Sequence, residues 1–518
     1  MLPAYFHSLF LSIYPILFFY TFNIDQMFLA DAALPMVVSF VLTILLLKVA
    51  HIACKNLEKS ALAVSLFLVF FYYYGAFTAL LGNFIANINN LSTLPAALWF
   101  LVFFFGLVML FRWKSIPGLV TGFLNVVAVV LLVLNLLILG DYYWTSDAAK
   151  LTVPANPQAT SVQKDLPDIY YLVVDGYVGD KVLKSLYGMK TNELTDFLRT
   201  RKFYVADSSH SNYMQTSLSL SSSLNMTYLD DLGRDYRDKN TAAPLMRMVA
   251  NNAVIANLKA AGYKSIAFAS GYATTELENS DVYYGKTMIN REVYHILLGN
   301  TVLSAFRLKI FDFVATQVQS HNQLVTSVIG GLTGLEIAED SPPVFVFAHV
   351  PVPHPPFIWK ENGELKLSHP RGFHFGDGNH WGRPEDYRRE YVEQVTHLNR
   401  LLIKALTSIL DKGNRKKIIL LQADHGSGSL LNWEDHNATW LPERFSILNA
   451  YSFPDGDYST LYDEISPVNS FRVVFNKVFN SKLEKLPDLS FFSPWSFRYR
   501  LTDVTEMISQ QTDNVPQH

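Results

Sequence analysis

Residues 416–426 read KKIILLQADHG, an apolar run that ends in an acid, an imidazole and a glycine. Such a run is typical of a strand that is buried on both faces, as the strands of parallel sheets are. In open α/β folds, ligands bind just beyond the carboxyl ends of these strands, which is where Asp424 and His425 lie. A carboxylate oxygen and an imidazole nitrogen together suit a divalent metal such as zinc or manganese. A polar turn that merely ends the strand is the alternative, and partners elsewhere in the chain must decide between the two.

The composition divides the chain into an apolar part and a more ordinary part. The chain has 518 residues, of which 50% are hydrophobic and 17% charged, whereas a typical soluble domain is roughly 25% charged. Residues 1–140 hold almost none of the charge. The net charge of −3 gives no basis for nucleic-acid binding. The single cysteine, Cys54, excludes an intramolecular disulfide and a multi-cysteine metal site.

Five apolar segments, each near the ~20 residues that a helix needs to cross a bilayer, are predicted to be transmembrane helices. They lie at residues 5–24, 33–53, 60–82, 94–112 and 117–140. Basic residues cluster in every second loop, and such loops mark the cytoplasmic side. The N-terminus is therefore predicted inside and everything after Gly140 outside. No acidic or basic residue lies in the middle of a span except Lys48, which is close enough to an end to snorkel, so a transporter is disfavoured.

The predicted organisation has four parts: a transmembrane domain of five helices (1–143), a linker (144–167), an outer domain (168–503) and a polar, frayed tail (504–518). In the outer domain, apolar strand patterns alternate with helical ones. This alternation predicts an α/β domain with a mainly parallel sheet and helices on both faces. The predicted strands are 169–174, 265–269, 344–348, 416–422 and 445–450, and the predicted helices lie within 180–201 and 241–261.

Polar side chains follow three of these strands. Asp175 follows the first, His349 follows 344–348, and the Asp-His pair follows 416–422. One parallel sheet brings all of them to the same edge. Thr216, in a segment rich in serine, is either a plain helix N-cap or a nucleophile. The second interpretation is possible because a helix N-terminus attracts anions and a metal ionises a bound hydroxyl.

A proline-rich segment, HVPVPHPPF at residues 349–357, holds a second histidine, His354. Four prolines keep this segment extended. His354 is therefore either incidental to a rigid loop or held over the site, to donate a proton or to bind a phosphoryl oxygen. We favour the functional interpretation for His354. His349 lies close to the strand and is better explained as a core histidine with its hydrogen bonds satisfied.

Two further polar stretches have less definite interpretations. The loop DGNHWGR at residues 377–383 suits a head-group or acceptor pocket through His380, Trp381 and Arg383. A surface loop with a packed tryptophan explains it equally well. The stretch Glu443-Arg444-Phe445 is predicted to place an ion pair at the edge of the sheet.

The order Asp175, Thr216, a His-Pro segment and Asp424-His425-Gly426 resembles the alkaline phosphatase superfamily. Apolar spans followed by such a domain resemble the lipoteichoic acid synthases and their relatives, the phosphoethanolamine transferases and glucan phosphoglycerol transferases. Such chains are often described as sulfatase-like. The resemblance covers the architecture of the whole chain, whereas its specific motifs cover only short stretches.

The resemblance implies a role for each matching residue. Thr216 would be the nucleophile and a metal ligand, and His354 would bind the substrate phosphate, with Asn212 as a further substrate contact. Ser217 is an alternative nucleophile. The Pro-His-Pro-Pro setting of His354 departs from the Ser-His of some relatives, and no second metal site is matched. The implied ligands of one divalent ion (zinc or manganese, with magnesium as a further option) are Asp175, Thr216, Asp424 and His425.

Three functions are compatible with these residues. In the first, a metal-activated Thr216 attacks a phospholipid in the inner membrane. A phosphothreonine forms, and the phospho-head group passes to an envelope glycan or lipid on the periplasmic side. The second is a phosphatase or sulfatase with water as acceptor. A formylglycine sulfatase is disfavoured because residues 211–225 contain neither Pro nor Arg and Cys54 lies in the apolar part. The third is a catalytically silent lipid-binding regulator, against which the presence of all four ligands speaks.

Overall fold

A computed structural model describes residues 5–24, 29–85, 94–113, 118–148, 165–285, 291–306, 313–368, 375–512 and 514–516, and residues 3, 27 and 373. The chain divides into two compact units. The first unit holds residues 1–147 and 288–317, and the second holds residues 148–287 and 318–518.

The N-terminal part of the first unit consists of apolar helices. Their bounds are α1 (Phe6–Phe22), α2 (Leu29–Cys54), α3 (Leu57–Tyr72), α4 (Tyr74–Ile85), α5 (Leu94–Arg112) and α6 (Gly118–Ala148). Within the described residues, three of them (α2, α5 and α6) are long and apolar enough to cross a membrane. The pair α3 and α4 would be a fourth span, bent by 53° at a break, and α1 is shorter. The predicted count of five spans is therefore not confirmed, because the third predicted segment is broken near Tyr73 and the first is a helix of only 17 residues.

Buried polar side chains join these apolar helices. The Thr21 hydroxyl donates to Asn135 Oδ1 at 2.6 Å, and the Tyr72 hydroxyl donates to Ser39 Oγ at 2.7 Å. The Ser8 hydroxyl donates to the carbonyl oxygen of Ala61 at 2.9 Å. In apolar surroundings, where water does not compete, such bonds between helices help to fix their packing.

The second unit is built on a mixed sheet of seven strands. These are β1 (Asp168–Val174), β2 (Tyr204–Val205), β3 (Lys264–Phe268), β4 (Val282–Tyr284), β5 (Val344–Val350), β6 (Lys417–Gln422) and β7 (Asn449–Ser452), and a separate pair consists of β8 (Phe491–Phe492) and β9 (Thr502–Asp503). The strand order is β2-β7-β6-β1-β5-β3-β4. The run from β6 to β4 is parallel, and β7 is antiparallel to both of its neighbours.

The remaining helices follow in chain order. They are α7 (Asp180–Ser185), α8 (Glu193–Thr200), α9 (Thr216–Asn225), α10 (Asp230–Asp235), α11 (Ala243–Ala250), α12 (Ala253–Ala260), α13 (Arg291–Gly299), α14 (Phe313–Gly334), α15 (Pro384–Asp411), α16 (Leu441–Phe445), α17 (Pro467–Phe479) and α18 (Thr505–Thr512). On one face of β1, Ile169, Tyr171 and Val173 pack in a core with residues of α9, α12 and α17. The alternate residues of β1 are buried as well, so both faces of the central strand are covered.

A segment between β4 and α14 belongs to the first unit, although it follows strands of the second unit in the sequence. It consists of α13 and a short 3-10 turn at Val302–Phe306. The Gly75 N–H donates to the carbonyl oxygen of Asn300 at 2.9 Å, close to the break between α3 and α4. Val302 is buried beside Phe70 and Tyr74. The outer domain predicted at 168–503 includes this segment.

Four of the five predicted strands are found within a few residues of their predicted bounds, and the sheet has the parallel core that the sequence predicted. The prediction of a strand at 445–450 was wrong in detail. Pro442 lies in the first turn of a short helix that ends at Phe445, and β7 begins only at Asn449. Short apolar runs do not distinguish helix from strand by themselves. Most of the predicted linker lies outside the described residues.

The polar tail is partly ordered, although fraying was expected. α18 occupies Thr505–Thr512, and its Ile508 is buried in a cluster with Leu441 and Phe445. The backbone N–H of Leu441 donates to the side chain of Gln511 at 2.8 Å. One buried apolar residue in a polar helix is enough to dock it here.

An ion pair at the start of β1 holds three strands in register. Arg415 donates to both carboxylate oxygens of Asp168, at 2.7 Å each. Asp168 is buried, and its Oδ1 also accepts from the N–H of Val344, the first residue of β5. Because Arg415 precedes β6, one carboxylate ties β1, β5 and β6 at their N-terminal ends. Their opposite ends, which carry the candidate site, are aligned by the same register.

Replacing Arg415 with Ala is expected to lower the free energy of unfolding of the second unit by about 3–5 kcal/mol, because Asp168 would remain buried without its partner. Chemical denaturation of the full-length protein in detergent, followed by circular dichroism, measures this loss. Arg234→Ala is the matched control, since Arg234 pairs with Asp231 on the surface, and it should have no measurable effect. Equal effects of the two substitutions would contradict the role given to Asp168.

Candidate active site

Two strand ends bring three candidate metal ligands together. Asp175 follows β1, and Asp424 and His425 follow its neighbour β6. One ligand atom from each of these residues lies within 4.8 Å of the other two. His425 Nε2 is 3.5 Å from Asp175 Oδ1 and 3.4 Å from Asp424 Oδ2. All three residues are buried.

Backbone hydrogen bonds fix the carboxylate of Asp424 and the main chain of Asp175. Asp424 Oδ1 accepts from the N–H of Gly176 at 3.1 Å and from the N–H of His425 at 2.9 Å. The N–H of Asp175 donates to the carbonyl oxygen of Val350 at 3.0 Å, and its own carbonyl accepts from the N–H of His354 at 3.0 Å. The loops after β1, β5 and β6 therefore form one connected edge.

Gly426 allows the loop after β6 to lie against a second backbone segment. Its N–H donates to the carbonyl oxygen of Arg444 at 2.7 Å. A Cβ atom at this position would lie 2.1 Å from the carbonyl oxygen of Glu443. Only glycine fits this close approach, which gives the last residue of the Asp-His-Gly motif a steric reason.

The residues present fit a bound divalent cation. Asp175 Oδ1 and Asp424 Oδ2 are buried and have no hydrogen-bond partner among the described residues. Two buried carboxylates with unpartnered oxygens are costly unless a cation lies between them. His425 Nδ1 donates to the carbonyl oxygen of Gly426 at 2.8 Å, so its Nε2 keeps a lone pair directed at the carboxylates. Burial, together with the nearby Arg444 guanidinium, lowers the pKa of His425 and favours this neutral form.

Thr216 lies beside these ligands at the beginning of α9. Its Oγ1 is 3.2 Å from His425 Nε2, and the residue is half-buried. The N-cap residue is Gln215, which makes no capping hydrogen bond with its side chain, so Thr216 is the first helical residue and not the cap. Ser217, the alternative nucleophile, is 2% exposed. The Ser219 hydroxyl donates to the carbonyl oxygen of Asp424 at 2.6 Å and ties α9 to the metal-ligand loop.

Both histidines of the proline-rich segment lie near the candidate ligands. The ring of His354 is half-buried, 6.0 Å from that of His425, and its Nε2 is 3.7 Å from Asp377 Oδ2. His349 is fully buried, with Nε2 3.4 Å from Asp175 Oδ2 and Nδ1 2.9 Å from the Thr275 hydroxyl. Burial lowers the pKa of His349, but the Asp175 carboxylate and the other carboxylates nearby together outweigh this and raise the pKa above the ordinary value. His349 therefore contacts a candidate ligand and is more than a core histidine.

Asp377 and Arg444 form a buried ion pair at the site, and the sequence did not predict that these two residues pair. Arg444 Nη1 is 2.6 Å from Asp377 Oδ2, and both side chains are almost fully buried. The guanidinium also donates twice to the carbonyl oxygen of Met214, at 2.9 and 2.7 Å, just before Thr216. Burial raises the pKa of Asp377, but the Arg444 guanidinium and the nearby histidines together outweigh burial and hold the pKa below its usual range. A buried arginine within an apolar stretch was the one available signal.

The stretch Glu443-Arg444-Phe445 does supply an ion pair, but it joins Arg444 to Asp377 inside the candidate site and Glu443 takes no part in it. Neighbouring residues of a short helix point their side chains in different directions, and Glu443 faces the loop after β6. Its carboxylate accepts from the N–H groups of Ser429 at 2.6 Å and Leu430 at 2.8 Å, and from the Tyr187 hydroxyl. Glu443 thereby holds the loop that follows the candidate ligands.

The other proposed substrate contacts lie in different settings. Trp381 is buried and packs against Phe357 and Tyr387. His380 and Arg383 are exposed, and Arg383 pairs with the nearby Asp386.

Asn212 is bound inside the second unit. Its Oδ1 accepts from the N–H of Val468 at 2.8 Å, and its Nδ2 donates to the carbonyl oxygen of Leu489 at 2.8 Å. The side chain of Asn212 thus bonds within the second unit, to the segments that follow β7 and to the Tyr228 hydroxyl. A substrate role for Asn212, His380, Trp381 and Arg383 stays a prediction.

The fold and the site define an α/β domain with a candidate metal-assisted nucleophile at the carboxyl edge of its sheet. No protein-family model and no curated protein matches the chain. Among solved structures, the chain is similar to the C-terminal periplasmic domain of EptC from Escherichia coli in complex with Zn. The identity is 11% and the TM-score 0.42, over 69% of this chain and 95% of that chain.

Two other similar structures are an integral membrane protein and a hydrolase. The first is the lipooligosaccharide phosphoethanolamine transferase A of Neisseria meningitidis, with 13% identity and a TM-score of 0.40 over 92% of this chain and 95% of that chain. The second is the phosphonate monoester hydrolase of Agrobacterium radiobacter, with 11% identity and a TM-score of 0.37 over 63% of this chain and 80% of that chain. Phosphoethanolamine transferases are among the relatives that the sequence motifs resemble.

Asp424→Asn is expected to weaken zinc or manganese binding by about 100-fold, because it removes a charged ligand. In the presence of EDTA, the same variant should unfold at the temperature of the metal-free wild type or above it. Asn keeps the Oδ1 acceptor for Gly176 and His425, and the repulsion of a second buried carboxylate from Asp175 is gone. Metal analysis of the purified full-length protein and thermal unfolding with and without EDTA measure the two effects.

Asp231→Asn, which neutralises a surface carboxylate, is the control and should retain the metal-dependent rise in unfolding temperature. An Asp424→Asn variant that still holds one equivalent of metal at wild-type affinity would rule out the assigned site.

Arg444→Met is expected to cost about 3–5 kcal/mol of unfolding free energy, because it leaves Asp377 charged and unpaired in the interior. The double variant Asp377→Asn/Arg444→Met should lose less than the sum of the two single variants, since the two groups act as a pair. Denaturation of the four proteins in detergent gives this coupling. Additive effects would show that the pair is not energetically coupled.

Proposed function

We propose that the chain is a membrane-anchored, metal-dependent transferase. It would move a phospho-head group of the phosphoglycerol or phosphoethanolamine type from a phospholipid to a glycan or lipid hydroxyl, through a phosphothreonine on Thr216. The observation that carries this proposal is the position of the Thr216 hydroxyl. It is reachable from solvent and lies 3.2 Å from His425 Nε2, beside two buried carboxylates with unpartnered oxygens.

The proposed cation would be held by Asp175, Thr216, Asp424 and His425, with zinc or manganese as the preferred ions and magnesium as a further option. When bound, it would lower the pKa of the Thr216 hydroxyl and offset charge on the phosphoryl oxygens. The buried position of the carboxylates favours a tightly held ion over one exchanged at the surface. The unpartnered oxygens support one bound ion. The described residues contain no second group of side chains that could hold a metal in this way.

In the first half-reaction, Thr216 Oγ1 would lose its proton to water and form a bond to phosphorus, and the bond from phosphorus to the diacylglycerol oxygen would break. His354, in its doubly protonated form, would give its Nε2 proton to the departing oxygen, since its Nδ1 donates to the carbonyl of Pro355 at 2.7 Å and Nε2 faces the site. In the second half-reaction, His354 takes the proton of the acceptor hydroxyl. The acceptor oxygen then replaces Thr216 on phosphorus.

The beginning of α9 would hold the phosphoryl oxygens. The first N–H groups of a helix have no partner within the helix, and the helix dipole favours negative charge at this end. Because the side chain of Gln215 does not cap α9, these N–H groups are not occupied by the N-cap side chain. The nucleophile and an anion site thus coincide at one helix terminus.

The apolar helices of the first unit support a substrate in the membrane. We propose a multi-pass protein of the inner membrane, with a cytoplasmic N-terminus and the catalytic unit on the periplasmic side, as the distribution of basic residues indicates. A lipid-linked donor, an acceptor in the envelope, or both would explain why a phosphoryl-transfer domain is joined to such helices. A hydrolase of the same fold is the competing function.

The test is to supply full-length protein with phosphatidylglycerol or phosphatidylethanolamine labelled in the head group, and to locate the label by peptide mass spectrometry. Label is expected on Thr216, retained at a reduced level in Thr216→Ser and absent in Thr216→Ala. Ser217→Ala is the matched control and should be labelled like the wild type. Label on Ser217, or on neither residue, would refute the proposal.

Chasing the labelled protein with an added acceptor separates transfer from hydrolysis. A transferase releases its label faster in the presence of an acceptor hydroxyl, and the label appears on that acceptor. Release at one rate, whatever acceptor is added, with free phospho-head group as the product, identifies a hydrolase.

A further inference from the structure

An exposed tryptophan, Trp495, packs on Trp433 beside the buried ion pair of the site and has no part in the mechanism above. Its side chain is 42% exposed, an unusual degree for so large an aromatic residue. Its ring meets the ring of Trp433 edge to face, at a centroid distance of 5.1 Å. Trp433 is buried under the Arg444 guanidinium, whose Cζ is 5.1 Å from the ring centre. The aromatic pair therefore extends from the buried ion pair of the site to the surface.

A second route through the chain leads to the same place. Tyr213 and Phe491 form a parallel bridge, so the two segments run side by side in the same direction. Gln215, the residue before Thr216, donates to the hydroxyl of Ser493 at 2.9 Å. Trp495 is only two residues beyond Ser493, and each residue spans at most ~3.8 Å. Trp495 thus follows directly on the segment that pairs with the residues before α9.

The backbone of Trp495 is held in place by Trp433. Its backbone N–H donates to the carbonyl oxygen of Trp433 at 3.1 Å. Trp433 is itself fixed, because its Nε1–H donates to the carbonyl oxygen of Asp377 at 3.1 Å. A ring on a fixed backbone with one edge already packed loses less conformational entropy when it binds a ligand.

The surroundings of Trp495 are polar and acidic. The Glu434 carboxylate accepts from both the N–H and the hydroxyl of Ser496, at 3.1 and 2.8 Å. Glu434, Asp435 and Asn437 are exposed on the loop next to the ring. Carboxylates disfavour an anionic ligand, and a single ring with a charged rim is a poor surface for an acyl chain. A sugar ring fits both features, because its C–H face is apolar and its hydroxyls need acceptors.

We infer that Trp495 and the 434–437 loop form an acceptor subsite that binds a sugar ring of a neutral glycan, with the ring face stacked on Trp495. This inference rests on the proposed function and adds the chemical class of its acceptor. The subsite holds the glycan so that one hydroxyl reaches the phosphothreonine on Thr216. The donor phospholipid binds without it.

The experiment follows the two half-reactions separately in full-length protein. Protein labelled from the phospholipid donor is chased with glucose oligosaccharides of α and β linkage, and with glycerol as an acceptor that has no ring. Trp495→Ala is expected to form the Thr216 adduct within about 2-fold of the wild-type rate, which also shows that it is folded. Its transfer to the oligosaccharides should fall about 10-fold or more, which corresponds to a loss of about 1.4 kcal/mol in binding of the sugar. Its transfer to glycerol should not change.

Two further variants sharpen the result. Trp495→Phe keeps an aromatic face and should retain part of the transfer to oligosaccharide. Tyr284→Ala removes an aromatic ring of similar exposure, at 45%, from the far edge of the sheet, and should behave like the wild type in both half-reactions. Wild-type rates of oligosaccharide transfer in Trp495→Ala would overturn the inference, whereas the proposed function would stand.

A direct binding measurement tests the subsite independently of the transfer reaction. Calorimetry with the same oligosaccharides should show binding to the Thr216→Ala protein. This binding should be lost in the double variant Thr216→Ala/Trp495→Ala. If the wild type forms no adduct, the proposed function fails, and this binding measurement still decides the subsite. Absence of oligosaccharide binding to the Thr216→Ala protein would overturn it.

Discussion

Two carboxylates of like charge, buried side by side at one edge of a sheet, are the constraint on which the rest of the site depends. Asp175 and Asp424 each keep one oxygen without a hydrogen-bond partner in the described structure. Such an arrangement is unfavourable in an apolar interior unless a cation offsets it. The neutral tautomer of His425, fixed by the carbonyl of Gly426, completes a donor set for a divalent ion. The adjoining Thr216 hydroxyl then lies where such an ion would act on it.

The buried ion pair of Asp377 and Arg444 lies next to the candidate ligands, and its two opposite charges offset each other. Arg444 is bound to the carbonyl of Met214, to Asp377 and, at 3.2 Å, to the carbonyl of Gly426. It therefore connects the segment before α9 to the loop after β6. The positive charge also disfavours protonation of His425. The Arg444 side chain thus helps both to position Thr216 and to keep His425 neutral.

The two units place different demands on the chain. The apolar helices are joined by a few buried hydroxyl and amide groups, and they account for the low overall charge. The sheet of the second unit is held in register at its opposite end by Asp168 and Arg415. Because that register is fixed, the ends of β1 and β6 finish level, and the two acidic residues that follow them meet.

The sequence by itself determined the parallel core of the sheet and the meeting of Asp175 with Asp424 and His425. Buried strands have a clear apolar signature, and parallel strands share one carboxyl edge. Only the tertiary structure decided the break between α3 and α4, the antiparallel β7, and the contacts made by His349, Asp377, Arg444 and Trp495. These depend on contacts between residues far apart in the chain, whose partners no local pattern encodes. Arg444 and Asp377, 67 positions apart, are one pair only because the fold buries both at the same edge.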